Sequence, residues 1–192
     1  MTDNTWLDYV EKTKSKPPRP LLVKALQFLE RRDIALDLGA GALNDSIYLL
    51  SEKFVHVTAI DKEPVAAKIA KDLPLERFTY KISSLEDTVF PADEVDLVNA
   101  QYALPFIKPE RFDEVWERIS NSLKIGGVFT GQLFGQKDEW AGNRNMTFHT
   151  KAAAHQILAR FDLLDFEEEE ADKPTAMGNM KHWHVFHFIA RK

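Results

Sequence analysis

The chain has 192 residues, 44% of them hydrophobic, and a formal net charge of −5. This length and composition suffice for one domain with a sizeable core, and they exclude a disordered chain. The acidic balance argues against a nucleic-acid-binding protein, because such proteins usually carry a basic surface. The absence of cysteine excludes disulfides, cysteine-based zinc sites and a thiol nucleophile.

The N-terminal residues lack the basic and then apolar pattern of a secretory signal. No apolar run approaches the length of a membrane span. We therefore expect a cytoplasmic protein with no membrane contact and no nucleic-acid partner. The sequence leaves the oligomeric state open.

The first part of the chain predicts two helices ahead of the sheet. Residues 3–14 have the pattern of a short polar helix that carries Trp6 and Tyr9. A proline-rich connector follows, and a second helix is predicted from about Pro20 to Arg32, with apolar residues on one face. We expect residues 1–33 to form an N-terminal helical lid and a first helix within a single domain that spans residues 1–192.

Strands and helices then alternate along the chain. Apolar segments predict five strands, at 34–38, 54–60, 78–82, 95–100 and 128–134, of which the second is rich in β-branched residues. Helical patterns lie between them, at 45–53, 64–73 and 109–123, and Lys124–Gly127 is predicted to be a turn. Such alternation is typical of a doubly wound α/β sheet with right-handed crossovers and helices on both faces.

The C-terminal part predicts a change of strand direction. Thr150 is expected to cap a helix that runs to about Arg160. Two further strands are predicted at 163–170 and 182–190, and the linker between them is too short for a helical crossover, so the two strands must run antiparallel. The predicted fold is therefore α/β, with a mostly parallel seven-stranded sheet and a reversed C-terminal strand.

A glycine turn follows the first predicted strand. Gly39-Ala40-Gly41 leads into a helix, and glycine lets a ligand approach the backbone closely because it has no side chain. Asp61 ends the second predicted strand, where an acidic side chain can accept hydrogen bonds from both hydroxyls of a ribose. The pattern predicts a nucleotide or nucleoside site.

The spacing of the glycines disfavours a dinucleotide. The fingerprint G-x-G-x-x-G would place its third glycine at position 44, which is Asn44. A phosphate-free nucleoside makes weaker demands at that position. An NAD-dependent oxidoreductase therefore remains as the less favoured alternative.

Four segments resemble the ordered motifs of class I S-adenosylmethionine-dependent methyltransferases. They are residues 36–41 (LDLGAG), 57–61 (VTAID), 96–102 (DLVNAQY) and 123–129 (LKIGGVF). The small tellurite-resistance-type members of that family show a more distant resemblance. The family has a reversed seventh strand inserted between the fifth and the sixth, so the resemblance implies that arrangement here. It also implies methyl transfer from S-adenosylmethionine to an unidentified, small-molecule acceptor, with S-adenosylhomocysteine as the product.

The resemblance further implies which residues hold the cofactor. They would be Asp37, Gly39, Ala40 and Gly41 around the methionine and ribose, Asp61 at the ribose hydroxyls, Lys62 beside the adenine, Ser83, Ser84 and Leu85 at the adenine edge, and Gln101 and Tyr102 near the methionine and the transferred methyl.

Two positions depart from the family pattern. Leu43 stands where the family often has a third glycine, and Ser83 where an acidic residue often meets the adenine amino group. These departures keep open a second hypothesis, a non-catalytic nucleoside-binding or regulatory member of the same fold.

The acceptor is expected to lie among the long connection at 135–149, the linker at 171–181 and the N-terminal lid. Candidate acceptor-side residues are Trp6, Tyr9, Trp140, Arg144 and His149. Aromatic and amide side chains around a cleft suit a small planar or polar molecule, and Arg144 could grip a carboxylate. Ordinary surface or packing roles for these residues stay open. The sequence singles out no catalytic base, and its C-terminal histidines do not predict a metal site.

Overall fold

The computed structural model describes residues 3–192, so Met1 and Thr2 of the predicted lid lie outside it. Helix α1 spans Asp3–Thr13, and α2 spans Pro20–Ala25 and continues as a 3₁₀ turn to Phe28. The second helix is shorter than predicted, because Leu29 is extended, with φ −87° and ψ 131°, and leads the chain toward the first strand. No helix within residues 3–192 has the length and apolar character needed to cross a bilayer.

One mixed sheet organises the described chain. Its strands are β1 (Ile34–Leu38), β2 (His56–Asp61), β3 (Phe78–Ile82), β4 (Val95–Ala100), β5 (Leu123–Gly135), β6 (Phe148–His149), β7 (Asp162–Pro174) and β8 (Met180–Arg191). The spatial order is β3-β2-β1-β4-β5-β8-β7, with the short β6 beside the end of β5. The first five strands run parallel, and β8 lies antiparallel between β5 and β7. The mostly parallel sheet with a reversed C-terminal strand is confirmed.

Four more helices connect the strands. They are α3 (Asn44–Ser51), α4 (Ala67–Ala70), α5 (Pro109–Ser122) and α6 (Lys151–Leu158). The predicted helix at 64–73 is reduced to a 3₁₀ turn, Pro64–Ala66, followed by the short α4. Thr150 caps α6 as predicted, since its Oγ1 accepts a hydrogen bond from the Ala153 N–H at 3.0 Å.

Two apolar cores cover the faces of the sheet. Alternate residues of a strand point to opposite faces, so Leu36 and Leu38 join one core while Ala35 joins the other. The first core lies under α5 and α6, where Trp116 stacks on Phe129 with ring centroids 5.0 Å apart. The second lies under α2 and α3. The two cores explain why the central strands are apolar at nearly every position.

The predicted turn at Lys124–Gly127 is a bulge inside β5. Leu123 pairs with Val95 and Val128 with Leu97, so the residues between them are extra to the ladder. Gly126 takes a φ of +84°, and its N–H donates to the Lys192 carbonyl at 2.7 Å. Gly126 and Gly127, which predicted a turn, therefore lie in an irregular part of one long strand.

The C-terminal hairpin is longer than predicted. Strands β7 and β8 pair from Asp162 and Arg191 up to Pro174 and Met180, so that only residues 175–179 connect them. Cross-strand bonds extend the pairing past residue 170; for example, the Trp183 Nε1–H donates to the Lys173 carbonyl at 3.0 Å. The hairpin consequently projects beyond the carboxyl end of β5.

Gly135, at the end of β5, provides a test of this packing. A Cβ added there would lie 2.0 Å from Nδ1 of the buried His184 ring. We expect Gly135→Ala to lower the free energy of unfolding by about 1–3 kcal/mol, because the ring or the strand must shift. Urea unfolding measures this effect. Gly142→Ala is the matched control, since nothing lies within 4 Å of its added Cβ; equal effects of the two changes would contradict the packing.

Candidate functional site

A cavity of about 780 Å³ lies at the carboxyl ends of the parallel strands, and a smaller one of about 250 Å³ adjoins it. Both are bordered by the glycine turn after β1, by Gln101 after β4 and by Tyr9 of α1. This edge is where open α/β sheets bind ligands, because the loops diverge there on either side of β1.

The glycine turn has a shape that glycine alone adopts easily. Gly39 and Gly41 have φ values of 67° and 51°, in the left-handed region. The Gly39 N–H donates to the Ile60 carbonyl at 2.8 Å, which ties the turn to the end of β2. A Cβ on Gly39 would lie 2.6 Å from Cβ of Ala103. The turn thus packs closely against the loop after β4.

Asp61 braces this turn from β2. Its Oδ2 accepts a hydrogen bond from the Gly41 N–H at 2.8 Å, and its Oδ1 accepts one from the Glu63 N–H at 2.9 Å. A carboxylate can accept about four hydrogen bonds, so both oxygens keep acceptor capacity. Asp61 also lines the larger cavity, where that capacity faces a ligand.

Asp37 lies beneath the turn and borders the smaller cavity. Its carboxylate accepts hydrogen bonds from the Ser46 hydroxyl at 2.5 Å and from the Asn99 amide at 2.8 Å. Burial, followed by the nearby charge of Asp45, raises the pKa of Asp37 to about 7. The bonds from Ser46 and Asn99 oppose that rise, because they stabilise the ionised form.

A chain of buried amides continues from Asp37 across the sheet. The Gln101 amide donates to Asn99 Oδ1 at 2.8 Å, and the Gln132 amide donates to Gln101 Oε1 at 2.9 Å. Gln132 Oε1 in turn accepts the Tyr102 N–H at 2.8 Å, which holds Tyr102 at a φ of +58°. Asn99 and Gln132 were not predicted as site residues, although polar residues within apolar strands were the signal that could have found them.

The loop after β3 forms one wall of the larger cavity. Ser83, Ser84 and Leu85 lie there as the resemblance implied, together with Glu86. The Ser83 hydroxyl is held within this loop, since it donates to the Ser84 carbonyl and accepts from Thr88 Oγ1, each at 3.1 Å. Glu86 therefore brings a carboxylate to the wall where Ser83 lacks one.

The proline-rich connector supplies cations to the site that were not predicted from the sequence. Lys16 and Arg19 border both cavities beside the glycine turn. The Arg19 guanidinium carbon lies 5.1 Å from the centroid of the Tyr102 ring. The Arg19 backbone N–H donates to Asp45 Oδ1 at 2.9 Å, which fixes the connector against α3.

The opposite end of the larger cavity is aromatic. Five rings line it, those of Tyr102, Phe106, Phe134, Trp140 and Trp183. The Trp183 ring lies 5.8 Å from both Trp140 and Phe134 and 5.9 Å from Tyr102, between centroids. Such contacts make a rigid apolar wall, since each ring is supported by its neighbours.

A buried ion pair adjoins this wall. Lys181 Nζ lies 2.5 Å from Asp138 Oδ1, and the two side chains are only 2% and 0% exposed. Asp138 also accepts the Trp140 N–H at 3.0 Å and the His184 N–H at 3.2 Å. Burial lowers the pKa of Lys181, whereas the Asp138 carboxylate raises it and so opposes the effect. The pair ties the loop after β5 to β8.

The predicted site residues divide by position. Those lining the larger cavity are Gly39, Gly41, Asp61, Lys62, Ser83, Ser84, Leu85, Gln101, Tyr102, Trp6, Tyr9 and Trp140. Asp37 and Ala40 line the smaller one. Two acceptor-side residues border neither cavity: Arg144 is exposed, and the buried His149 packs on Phe112 with ring centroids 4.8 Å apart. The loop after β5 thus turns Trp140 toward the cavity and Arg144 toward solvent.

His149 predicts a pH dependence of stability. Burial lowers its pKa from 6.5 to about 4, with a small opposing effect of Asp113. The unfolded chain therefore binds more protons between these values, and stability falls as the pH drops from 6.5 to 4. We expect the wild type to lose about 3 kcal/mol more than His149→Phe between pH 7 and pH 4, measured by urea unfolding. Exposed His155→Phe is the control; an equal effect there would contradict the assignment.

Comparison with known proteins finds a family model that matches the central part of the chain. Residues 35–127, which include the glycine turn and Asp61, match the sequence model of a methyltransferase domain family. No curated protein sequence gives a significant match to the chain.

Many solved structures share the fold, at low identity. The 1,6-didemethyltoxoflavin-N1-methyltransferase of Burkholderia thailandensis, determined with 1,6-didemethyltoxoflavin and S-adenosylhomocysteine, has a TM-score of 0.69 at 22% identity, over 91% of this chain and 77% of that one. TehB of Haemophilus influenzae has a TM-score of 0.75 at 14% identity, over 96% of this chain and 65% of that one. An S-adenosylmethionine-dependent methyltransferase of Methanosarcina mazei has a TM-score of 0.68 at 19% identity, over 92% of this chain and 99% of that one.

These structures share the Rossmann-like methyltransferase fold with the chain, and the family match covers the turn that begins the site. The match favours a methyltransferase over the NAD-dependent oxidoreductase that the glycine spacing left as an alternative. The family match over residues 35–127 and the shared fold together support a class I S-adenosylmethionine-dependent methyltransferase, an enzyme whose cofactor is S-adenosylmethionine.

Proposed function

We propose that the enzyme methylates a small planar molecule, which binds at the aromatic end of the larger cavity while the cofactor lies along the glycine turn. One observation carries the proposal: a single cavity of about 780 Å³ joins Gly39, Gly41 and Asp61 to the aromatic wall. Donor and acceptor can therefore share one cavity, as methyl transfer requires.

The residues at the strand ends have the chemistry that the nucleoside part of the cofactor needs. Asp61 keeps acceptor capacity for the ribose hydroxyls. Ile60 and Leu85 give the wall apolar surface for the adenine, and Glu86 gives an acceptor for its amino group. Lys62 also lines this end of the cavity. The donor set thus fits S-adenosylmethionine without a phosphate-binding loop.

The cations of the N-terminal segment fit the methionine part of the cofactor. Arg19 and Lys16 border the glycine turn, where the amino-acid end of the cofactor would lie. The Arg19 side chain makes no hydrogen bond to the described residues, so its five N–H donors are available to a carboxylate. We assign Arg19 to that carboxylate.

Leu43 does not obstruct this site. Its φ of 64° keeps the left-handed conformation for which the family often uses glycine. Its side chain is fully buried in the core under α2 and α3 and lines neither cavity. The left-handed backbone of Leu43 costs about 1–2 kcal/mol, and burial of its side chain offsets this by contributing about 1.5–3 kcal/mol to stability. The departure at Leu43 therefore gives no support to the non-catalytic alternative.

Catalysis in this site depends mainly on orientation and on exclusion of water. S-adenosylmethionine, when bound, supplies a methyl group already activated on a sulfonium. Tyr102 is held by its backbone hydrogen bond to Gln132, and Trp6 and Tyr9 of α1 line the cavity on its N-terminal side. For an acceptor that must lose a proton, Glu139 supplies a carboxylate at the cavity wall.

The Asp61 carboxylate gives the first test of this function. We expect Asp61→Ala to weaken S-adenosylhomocysteine binding at least about tenfold, since each hydrogen bond to a charged group is worth about 1.5–3 kcal/mol. Isothermal calorimetry measures the affinity. Exposed Asp72→Ala is the matched control. Absence of binding to the folded wild type, or unchanged binding to Asp61→Ala, would refute the proposed cofactor site.

Arg19 gives a test of the orientation of the cofactor. We expect Arg19→Met to weaken S-adenosylhomocysteine binding about tenfold, through loss of a charge-assisted bond. Adenosine lacks the amino-acid carboxylate, so its affinity should not change. Exposed Arg31→Met serves as the control. Equal losses for the two ligands would show that Arg19 does not contact the carboxylate.

A further inference from the structure

Three aromatic rings enclose the ammonium group of Lys181. Its Nζ lies 3.8 Å from the Trp183 centroid, 4.4 Å from the Trp140 indole and 5.3 Å from Phe134. We call these three rings the aromatic cage. All three also line the acceptor end of the cavity, so the rings that surround Lys181 are the rings that an acceptor meets.

The ion pair has its positive end toward the cavity. Lys181 borders the cavity, whereas Asp138, with a fully buried side chain, does not. Nζ donates to Asp138 and to the His182 carbonyl at 3.2 Å, and it has no third acceptor among the described residues. The cation therefore polarises the cage rings, whose π faces are otherwise electron-rich.

A cage of this kind normally binds a cationic ligand, because the ring faces attract an ammonium group. Here the protein's own ammonium occupies it. A cationic acceptor would find no free cage and would face a like charge held in a low-dielectric surrounding. An anionic or electron-rich ring, in contrast, would stack on rings whose electron density is polarised toward Lys181.

The other charges at this end of the cavity do not reverse this preference. Lys173 Nζ and Glu169 Oε1 lie 2.6 Å apart and largely cancel one another. Glu139 is exposed, so solvent and salt screen its charge. Asp138 likewise offsets the charge of Lys181 at long range, so Lys181 acts on a ligand at short range, because its Nζ contacts the cage rings and borders the cavity while Asp138 lies behind it.

We propose that Lys181, enclosed by Phe134, Trp140 and Trp183, makes the enzyme selective for planar acceptors that are anionic or electron-rich and against cationic ones. This inference rests on the proposed function, since it concerns the acceptor end of the same cavity. Lys181 acts through the cage rings and is a specificity-determining residue.

Two naphthalene probes of opposite charge test this selectivity. With the cofactor site filled by S-adenosylhomocysteine, the binding of 2-naphthoate and of 2-naphthylmethylammonium is measured by quenching of tryptophan fluorescence, with calorimetry as confirmation. We expect the wild type to bind the naphthoate at least about tenfold more tightly. Equal affinities, tighter binding of the cation, or no binding of either probe would overturn the proposal.

A double variant attributes the preference to Lys181. Lys181→Met/Asp138→Asn removes both charges and leaves no unpaired buried ion, and we expect the ratio of the two affinities to fall to about one. Lys181→Gln/Asp138→Asn replaces it if thermal unfolding shows the first variant to be unfolded. The control is Lys24→Met/Asp165→Asn, a surface pair with N–O distance 2.7 Å, which should keep the wild-type ratio.

The outcomes separate this inference from the proposed function. Failure of the wild type to bind S-adenosylhomocysteine would refute the cofactor site itself. Normal cofactor binding with a charge preference that persists in the double variant would refute only the role of Lys181. A purely structural role of the ion pair would change the thermal stability and leave the ratio of probe affinities unchanged.

Discussion

The site depends on the buried carboxylate of Asp37. It lies at the end of β1 and binds Ser46 of α3 and Asn99 of β4, which fixes both sides of the glycine turn at once. Burial disfavours its charge, as its raised pKa of about 7 indicates. The hydrogen bonds to Ser46 and Asn99 offset the unfavourable burial of this charge, and they hold β1, α3 and β4 in one arrangement.

From Asp37 a series of hydrogen bonds extends across the sheet to the aromatic end of the cavity. The amides of Asn99, Gln101 and Gln132 lead to the backbone of Tyr102, a ring of the aromatic wall. The reversed strand β8 adds Trp183 and Lys181 to the same wall, because it lies between β5 and β7. The two ends of the cavity, proposed for cofactor and acceptor, are therefore held by one connected set of buried polar and aromatic contacts.

Local patterns predicted much of the fold and of the cavity. Strand alternation and the short C-terminal linker gave the strand types and the reversed strand, since periodicity and linker length are properties of adjacent residues. The glycine turn and Asp61 were found because backbone conformation and strand ends leave marks in nearby sequence. The boundaries in the N-terminal helix and around Gly126 were missed, since packing and bulges decide them.

The sequence by itself determined the α/β class, the order of the elements and the residues at the carboxyl ends of the strands, because each follows from local periodicity and turn chemistry. Only the tertiary structure decided that Arg19 borders the glycine turn, that Arg144 faces solvent, and that Lys181 meets Asp138. The physical reason is distance along the chain: Lys181 and Asp138 are 43 positions apart. Such contacts depend on strand register and loop path, which adjacent residues do not encode.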